Sequence, residues 1–312
     1  MKLVSYKLKQ DPGHLRVGWI VNEKVYDIQE AYRQLLIYKQ EKDLANLIDT
    51  ILPADPNEFF SIGKRAIERA TEAYNYVMVS DSPFNFFHQE DLYLSNPISS
   101  PSKIICVGKN YVDHVAEMKG DLPEFPVLFA KFDNALIGPE DVIEKSAATN
   151  KLDYEVELAV VIGKEATHVS KEQALDYVAG YTIGNDISAR DLQKRTPQWL
   201  QGKTLDRSTP IGPWVVTDDE IPDPSSLAVR SYVNGEERQS SNTSHLIFDV
   251  PYLIEFISKL ITLKPGDIIL TGTPDGVGFA MDPPQFLQDG DVVITEIEAI
   301  GQMENTVKEM KE

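Results

Sequence analysis

Apolar and polar positions change their period along this chain, and each change predicts a different element. Up to residue 28 the runs LRVGWIV and KVYDI read as short strands, with Asn22 and Glu23 between them as a hairpin turn. From Glu30 to about Ile51 the spacing becomes helical, through Tyr32, Leu35 and Leu36, then Leu44, Leu47 and Ile48. Pro53 and Pro56 break that pattern, and a second helical stretch runs from about Pro56 to Val79. The segment SDSPFNFFHQEDLYLSNPISSPS, rich in Ser, Pro and Asn, reads as a connection. From Lys103 onward the runs KIICVG, LAVVIG, YTIGND, GPWVVT, LAVRSYVNG, DIILTG and DVVITEIEAIG are strand-like, rich in Val and Ile. Helical spacing returns only near residues 111–118, 171–178 and 250–262. The expectation is an α+β chain: a small α+β unit over 1–98, then a mostly β domain over 99–312 built as a folded-over or barrel-like sheet.

Within that β region three acids end apolar runs. In DYEVELAVVIG, alternation puts Tyr154, Val156, Leu158 and Val160 on one face and Asp153, Glu155, Glu157, Ala159 and Val161 on the other. A solvated polar face opposite a core face is the ordinary reading of such a strand. Against it, the acidic face turns apolar at Ala159 and Val161, and two like charges at i and i+2 repel, which a cation between them relieves. Asp186 ends YTIGND, where a turn or helix-capping aspartate is the alternative. Three oxygen ligands without Cys or His suit Mg²⁺ or Mn²⁺, or Ca²⁺, rather than zinc.

Composition narrows the partners. With 49 acidic and 30 basic residues the formal net charge is −19, which disfavours nucleic acid and anionic membrane surfaces and favours cation attraction. The single cysteine, Cys106, lies in the apolar run IICVG, so it reads as a small buried residue rather than a nucleophile. A lone cysteine fits a reducing cytosol, and the first residues show no secretory pattern, so a cytoplasmic location is expected.

Other polar groups add chemistry. His114 and Glu117, at i and i+3 in CVGKNYVDHVAEMKG, share one helical face, where a carboxylate orients an imidazole as a general base; an exposed polar face is the alternative. Gly108 and Gly120 flank them and suit hinge-like closure. The other histidines, 14, 88, 168 and 245, have no comparable partner. Lys203 sits in a Gly-, Thr- and Pro-rich loop and is either an oxyanion-stabilising group or a surface lysine. Arg190 offers a fork for a substrate carboxylate. The loop TGTPDGVG, Thr271 to Gly278, is either a plain turn or a set of N–H groups aimed at an anion, and it lacks the Gly-Lys-Ser/Thr of a nucleotide-binding loop.

Six of these segments, GKNYVDHVAE, FAKFDNALIGP, LDYEVELAVVIG, GYTIGNDISARDLQ, GKTLDRSTPIGP and LTGTPDGVG, resemble the fumarylacetoacetate hydrolase family in order and approximate spacing. The resemblance implies a mixed β-sandwich roll, with the first hundred residues as the N-terminal extension of longer members. It implies Glu155, Glu157 and Asp186 as ligands of one Mg²⁺ or Mn²⁺ per subunit, and His114 with Glu117 as a lid pair that activates water. It implies Lys203 as the active-site lysine, Arg190, Gln193 and Thr273 near the carboxylate and oxo groups of a small 2-oxo acid, and a homodimer. Met118, Phe125, Phe129 and Trp199 are expected to form the pocket wall. The implied activity is metal-dependent C–C bond cleavage in 2-oxo or 2,4-dioxo carboxylates through a metal-stabilised enolate, as acylpyruvate-type hydrolysis or oxaloacetate decarboxylation. The alternatives are an isomerase of 2-hydroxy-diene-dioate substrates and a metal-binding protein of the same fold that works through a protein partner.

Overall fold

Strands from distant parts of the chain meet in one large mixed sheet, seen in a computed structural model that describes residues 1–11, 13–80 and 84–310. At its centre, strand Val156–Ile162 pairs antiparallel with Val178–Asn185 on one side and Ile268–Leu270 on the other. Beyond Val178–Asn185 comes Thr209–Thr217, which pairs with the N-terminal strand Lys2–Leu8. The sheet therefore runs unbroken across the boundary expected at residue 98. In the opposite direction Ile268–Leu270 runs parallel to Ile104–Gly108, which pairs with Val127–Lys131. A second sheet of five strands includes Ala228–Val233, Val292–Ile297 and Gly301–Glu309. The fold is α+β and mostly β, as the pattern predicts.

Local chemistry explains the elements and two departures from expectation. Asn22 and Glu23 take φ 49° and 62°, the left-handed pair that turns Arg16–Val21 into Lys24–Asp27. The helical run expected over 30–51 divides into Ile28–Tyr38, Lys42–Asn46 and Ile48–Ile51. Asp27 caps the first by accepting the Glu30 N–H, and Gln40 at φ 64° stops it. The segment read as a connection contains strand Leu92–Ser95, paired with Lys2–Leu8; residues 81–83 of that segment lie outside the described residues. The stretch near 171–178 forms a 3₁₀ turn, Lys171–Tyr177, rather than an α-helix. Among the described residues, no helix is long and apolar enough to cross a membrane.

The core has a layer on each face of the large sheet. Ala159, Val161, Val215 and Leu270 pack with Leu35, Leu36, Phe59, Phe60 and Ala66 of the N-terminal helices. On the opposite face Leu158, Val160, Tyr181 and Ile183 pack with Leu253, Ile254 and Ile257 of helix Val250–Leu260 and with Val229 and Ile297 of the second sheet. Strand Val156–Ile162 is consequently buried along its whole length. The solvated-face reading fails because the N-terminal helices cover the side on which Glu157 lies. Cys106 is fully buried in the same layer, and burial pushes its thiol pKa well above the ordinary value.

Candidate metal centre

Strand register brings the three acids together. Val156 pairs with Asn185 and Glu157 with Gly184, so one step further Glu155 stands opposite Asp186, whose N–H donates to the Glu155 carbonyl at 2.8 Å. Glu157, two positions along, points to the same face. One oxygen from each of Glu155, Glu157 and Asp186 lies within 4.8 Å of the others, and all three residues are buried.

Their neighbours separate the three chemically. Lys203 ends the short helix Leu200–Lys203 and is buried; its Nζ lies 2.6 Å from both Glu155 Oε2 and Asp186 Oδ2. It is therefore not a surface lysine. Burial acts to lower its pKa, but Asp186 and Glu155 outweigh burial and raise it. Lys131, also buried, donates to Asp186 Oδ1 at 2.7 Å and to the Ile187 carbonyl at 3.1 Å. Arg190 Nε donates to Asp153 Oδ2 at 2.8 Å, and its second terminal nitrogen lies 2.7 Å from Glu155 Oε1. That second approach is an ion pair off the N–H direction, because the same nitrogen makes no aligned hydrogen bond. The Arg190 fork, expected to face a substrate carboxylate, is turned on the protein's own acids. Burial opposes the ionised form of Glu155, yet Lys203 and Arg190 hold its carboxyl well below the usual range.

Glu157 is the exception. Its Oε2 accepts the Gly272 N–H at 2.8 Å, and among the described residues no Lys or Arg forms an ion pair with it. Burial, with Asp186 and Glu155 nearby, pushes its carboxyl well above the usual range. Four buried acids, Asp153, Glu155, Glu157 and Asp186, thus face three buried cations, Lys131, Arg190 and Lys203. A buried carboxylate lacking a cation is costly. An all-oxygen donor set with one uncompensated acid fits a hard divalent ion, Mg²⁺ or Mn²⁺.

The glycine loop organises these acids instead of offering its N–H groups to a ligand. Gly272 holds Glu157, Gly276 donates to Glu117 Oε1 at 3.0 Å, and Gly278 donates to Asp153 Oδ1 at 2.8 Å. Glu117 Oε2 in turn lies 3.4 Å from His114 Nδ1 on helix Val112–Glu117. Asn110 anchors the base of that helix by donating to the Phe248 and Thr271 carbonyls at 3.0 and 2.7 Å. Gly276 has φ +94°, and an added Cβ would stand 1.9 Å from the Arg238 carbonyl oxygen. Gly276→Ala is therefore expected to cost about 1–3 kcal/mol or more, measured as a fall in Tm. Gly235→Ala, with φ +81° and nothing within 4 Å, carries the strain without the collision and should lower Tm less.

These groups line a cavity of about 300 Å³ that holds His114, Glu155, Glu157, Asp186, Arg190, Gln193, Lys203 and Thr273 together. Gln193 accepts from Arg190 at 3.2 Å. The Thr273 hydroxyl donates to the Val156 carbonyl at 2.9 Å and accepts from Gln239 at 2.8 Å. Met118, Phe129 and Trp199 form apolar wall as expected, but Phe125 does not: it is exposed and stacks on Phe256. Gly108 serves close approach rather than hinging, since a Cβ there would stand 2.4 Å from the Trp199 ring. His245, expected to lack a partner, lies 3.6 Å from Asp113, with both side chains exposed. Lys131 and Asp153 went unread as site residues. Both stand in segments quoted for the family resemblance, and a lysine closing the run VLFAK was the available signal.

Comparison with known proteins identifies the family. Residues 103–308 match the family model described as fumarylacetoacetate (FAA) hydrolase, C-terminal. The chain is 44% identical over 297 residues to the oxaloacetate tautomerase YisK of Bacillus subtilis (strain 168), covering 93% of this chain and 95% of that one. It is 44% identical over 264 residues to the mitochondrial oxaloacetate tautomerase fahd2 of Xenopus laevis, covering 84% and 81%. Among solved structures, maleylpyruvate hydrolase from Sphingobium sp. SYK-6, in complex with manganese(II) and pyruvate, superposes with a TM-score of 0.77 at 27% identity over 100% of both chains. With its sheet order, its buried acids and these matches, the chain belongs to the fumarylacetoacetate hydrolase family.

Proposed function

We propose that this chain interconverts the enol and keto forms of oxaloacetate or a closely similar 2-oxo acid, with Mg²⁺ or Mn²⁺ held by Glu155, Glu157 and Asp186. The observation that carries the reading is Glu157, a buried carboxylate with no Lys or Arg partner among the described residues, facing the same cavity as His114, which Glu117 engages from behind. The two oxaloacetate tautomerases at 44% identity support the choice of reaction. When bound, the ion would supply positive charge that polarises the 2-oxo group of the substrate. Tautomerisation moves one proton from the 2-hydroxyl to C3 and breaks no C–C bond. Glu117, fixed by the Gly276 N–H, engages His114 Nδ1 and leaves Nε2 to carry the proton at C3. Lys203 directs two N–H bonds to Glu155 and Asp186 and keeps a third for negative charge on the 2-oxygen. Phe129, Trp199 and Met118 exclude water from that side.

A second reading, C–C bond cleavage, is favoured by the manganese- and pyruvate-bound maleylpyruvate hydrolase. In it the same dyad deprotonates a water instead of carrying a carbon-bound proton. The two separate in one assay. With Mn²⁺, the ultraviolet absorbance of enol-oxaloacetate should decay faster without matching pyruvate release, and EDTA should stop the effect until Mn²⁺ is restored. Pyruvate appearing as fast as the enol is lost points to cleavage. No acceleration of either by the metal-loaded protein overturns the proposal.

A further inference from the structure

Among the described residues, the buried lysines and arginine at the acid cluster are each committed to a protein carboxylate: Lys131 to Asp186, Lys203 to Glu155 and Asp186, Arg190 to Asp153 and Glu155. A substrate with a second carboxylate therefore finds no free positive charge among them. Two lysines that line the same cavity form no ion pair among the described residues, Lys109 and Lys194. Lys194 follows helix Arg190–Gln193, and its Nζ stands 3.5 Å from the centre of the Phe279 ring. The Phe279 N–H donates to Asp153 Oδ2, the acid that also fixes Arg190, so this ring is held by the site's own framework. Partial burial, with the charges of Arg190 and Lys151 close by, lowers the pKa of Lys194. In a chain of net charge −19, Lys194 thus brings to the cavity wall a positive charge that no carboxylate among the described residues pairs with.

We propose that Lys194 binds the far carboxylate of the substrate and makes the site selective for 2-oxo dicarboxylates over 2-oxo monocarboxylates. The ring of Phe279 holds the ammonium by cation–π contact while leaving N–H groups free for a carboxylate. This inference rests on the metal-site reading above, and oxalate separates the two, because it chelates a divalent ion and has no far carboxylate. With Mn²⁺ present, Lys194→Gln is expected to raise KM for oxaloacetate by about 10–100-fold, in line with a lost charge-assisted bond of ~1.5–3 kcal/mol, and to leave the inhibition constant of oxalate unchanged. Lys194→Arg should restore most of the lost affinity. Parallel shifts for oxaloacetate and oxalate, no shift in either, or a selective loss in Lys109→Gln but not in Lys194→Gln overturns the proposal. Failure of the Mn²⁺-loaded wild type to bind oxalate overturns the metal-site reading and this assignment with it.

Discussion

Glu157→Ala is expected to weaken Mn²⁺ binding by at least ~100-fold, because even the loss of an outer partner of a metal ligand costs 10–100-fold. Activity should disappear with the affinity. Calorimetry checks the first and the enol assay the second; retained affinity would remove Glu157 from the ligand set. The fold should survive. Without an ion, burial with Asp186 and Glu155 opposes ionisation of Glu157, so its removal takes away no ion pair. The raised carboxyl also fixes a pH dependence. In the empty protein its folded pKa lies above the unfolded value, so its stabilising contribution is present at low pH and is lost as pH rises through the folded pKa. Ion binding runs the other way, since the proton must leave first. Mn²⁺ affinity of the wild type should climb with pH, by up to about tenfold per unit while Glu157 is protonated. In Glu157→Gln the slope should flatten.

His114→Ala should leave Mn²⁺ affinity within a few-fold of wild type and cut turnover by about 10²–10⁴, the usual span for a lost general acid–base. The geometry separates the two effects. His114 contacts Glu117 at 3.4 Å, on helix Val112–Glu117, and that helix reaches the site through Glu117 and Gly276. None of the three clustered acids depends on His114 for position: Glu155 and Asp186 are held by Lys203, and Glu157 by Gly272. A kcat loss with unchanged metal affinity therefore identifies a proton carrier. Joint loss of both would make His114 a structural support, and unchanged turnover would exclude the dyad from the chemistry. Glu117→Gln is the companion variant, because an amide still accepts the Gly276 N–H while removing the charge that orients the imidazole.

The acids were legible in sequence because two-residue periodicity is local: Glu155 and Glu157 share a face whatever surrounds them. What could not be read was why that face is dry. The answer is the N-terminal helices, whose Leu35, Leu36 and Phe60 join the same core layer as Ala159 and Val161, about a hundred residues or more along the sequence. The same limit hid strand Gly301–Glu309. GQMENTVKE looks polar, yet Met303, Asn305 and Val307 alternate inward against exposed Gln302 and Glu304. Pairing with Val292–Ile297 decides it, not propensity. Arg190 shows the converse. Its identity and place were legible, but its partners were not, because Asp153 lies 37 residues away and meets it only through the short pairing of Leu152–Asp153 with Ser188–Ala189. For the glycine loop the sequence leaves a plain turn and an anion-facing set of N–H groups equally open; the anions it holds are the protein's own Glu157, Glu117 and Asp153.

Four buried acids against three buried cations also leave a surplus of one negative charge when all seven are ionised. Burial beside Asp186 and Glu155 makes Glu157 the member that resists ionisation. A divalent ion held there would take the place of that proton and turn the surplus into a net positive charge. The cluster would then add its pull on a substrate anion to that of Lys194 at the cavity wall.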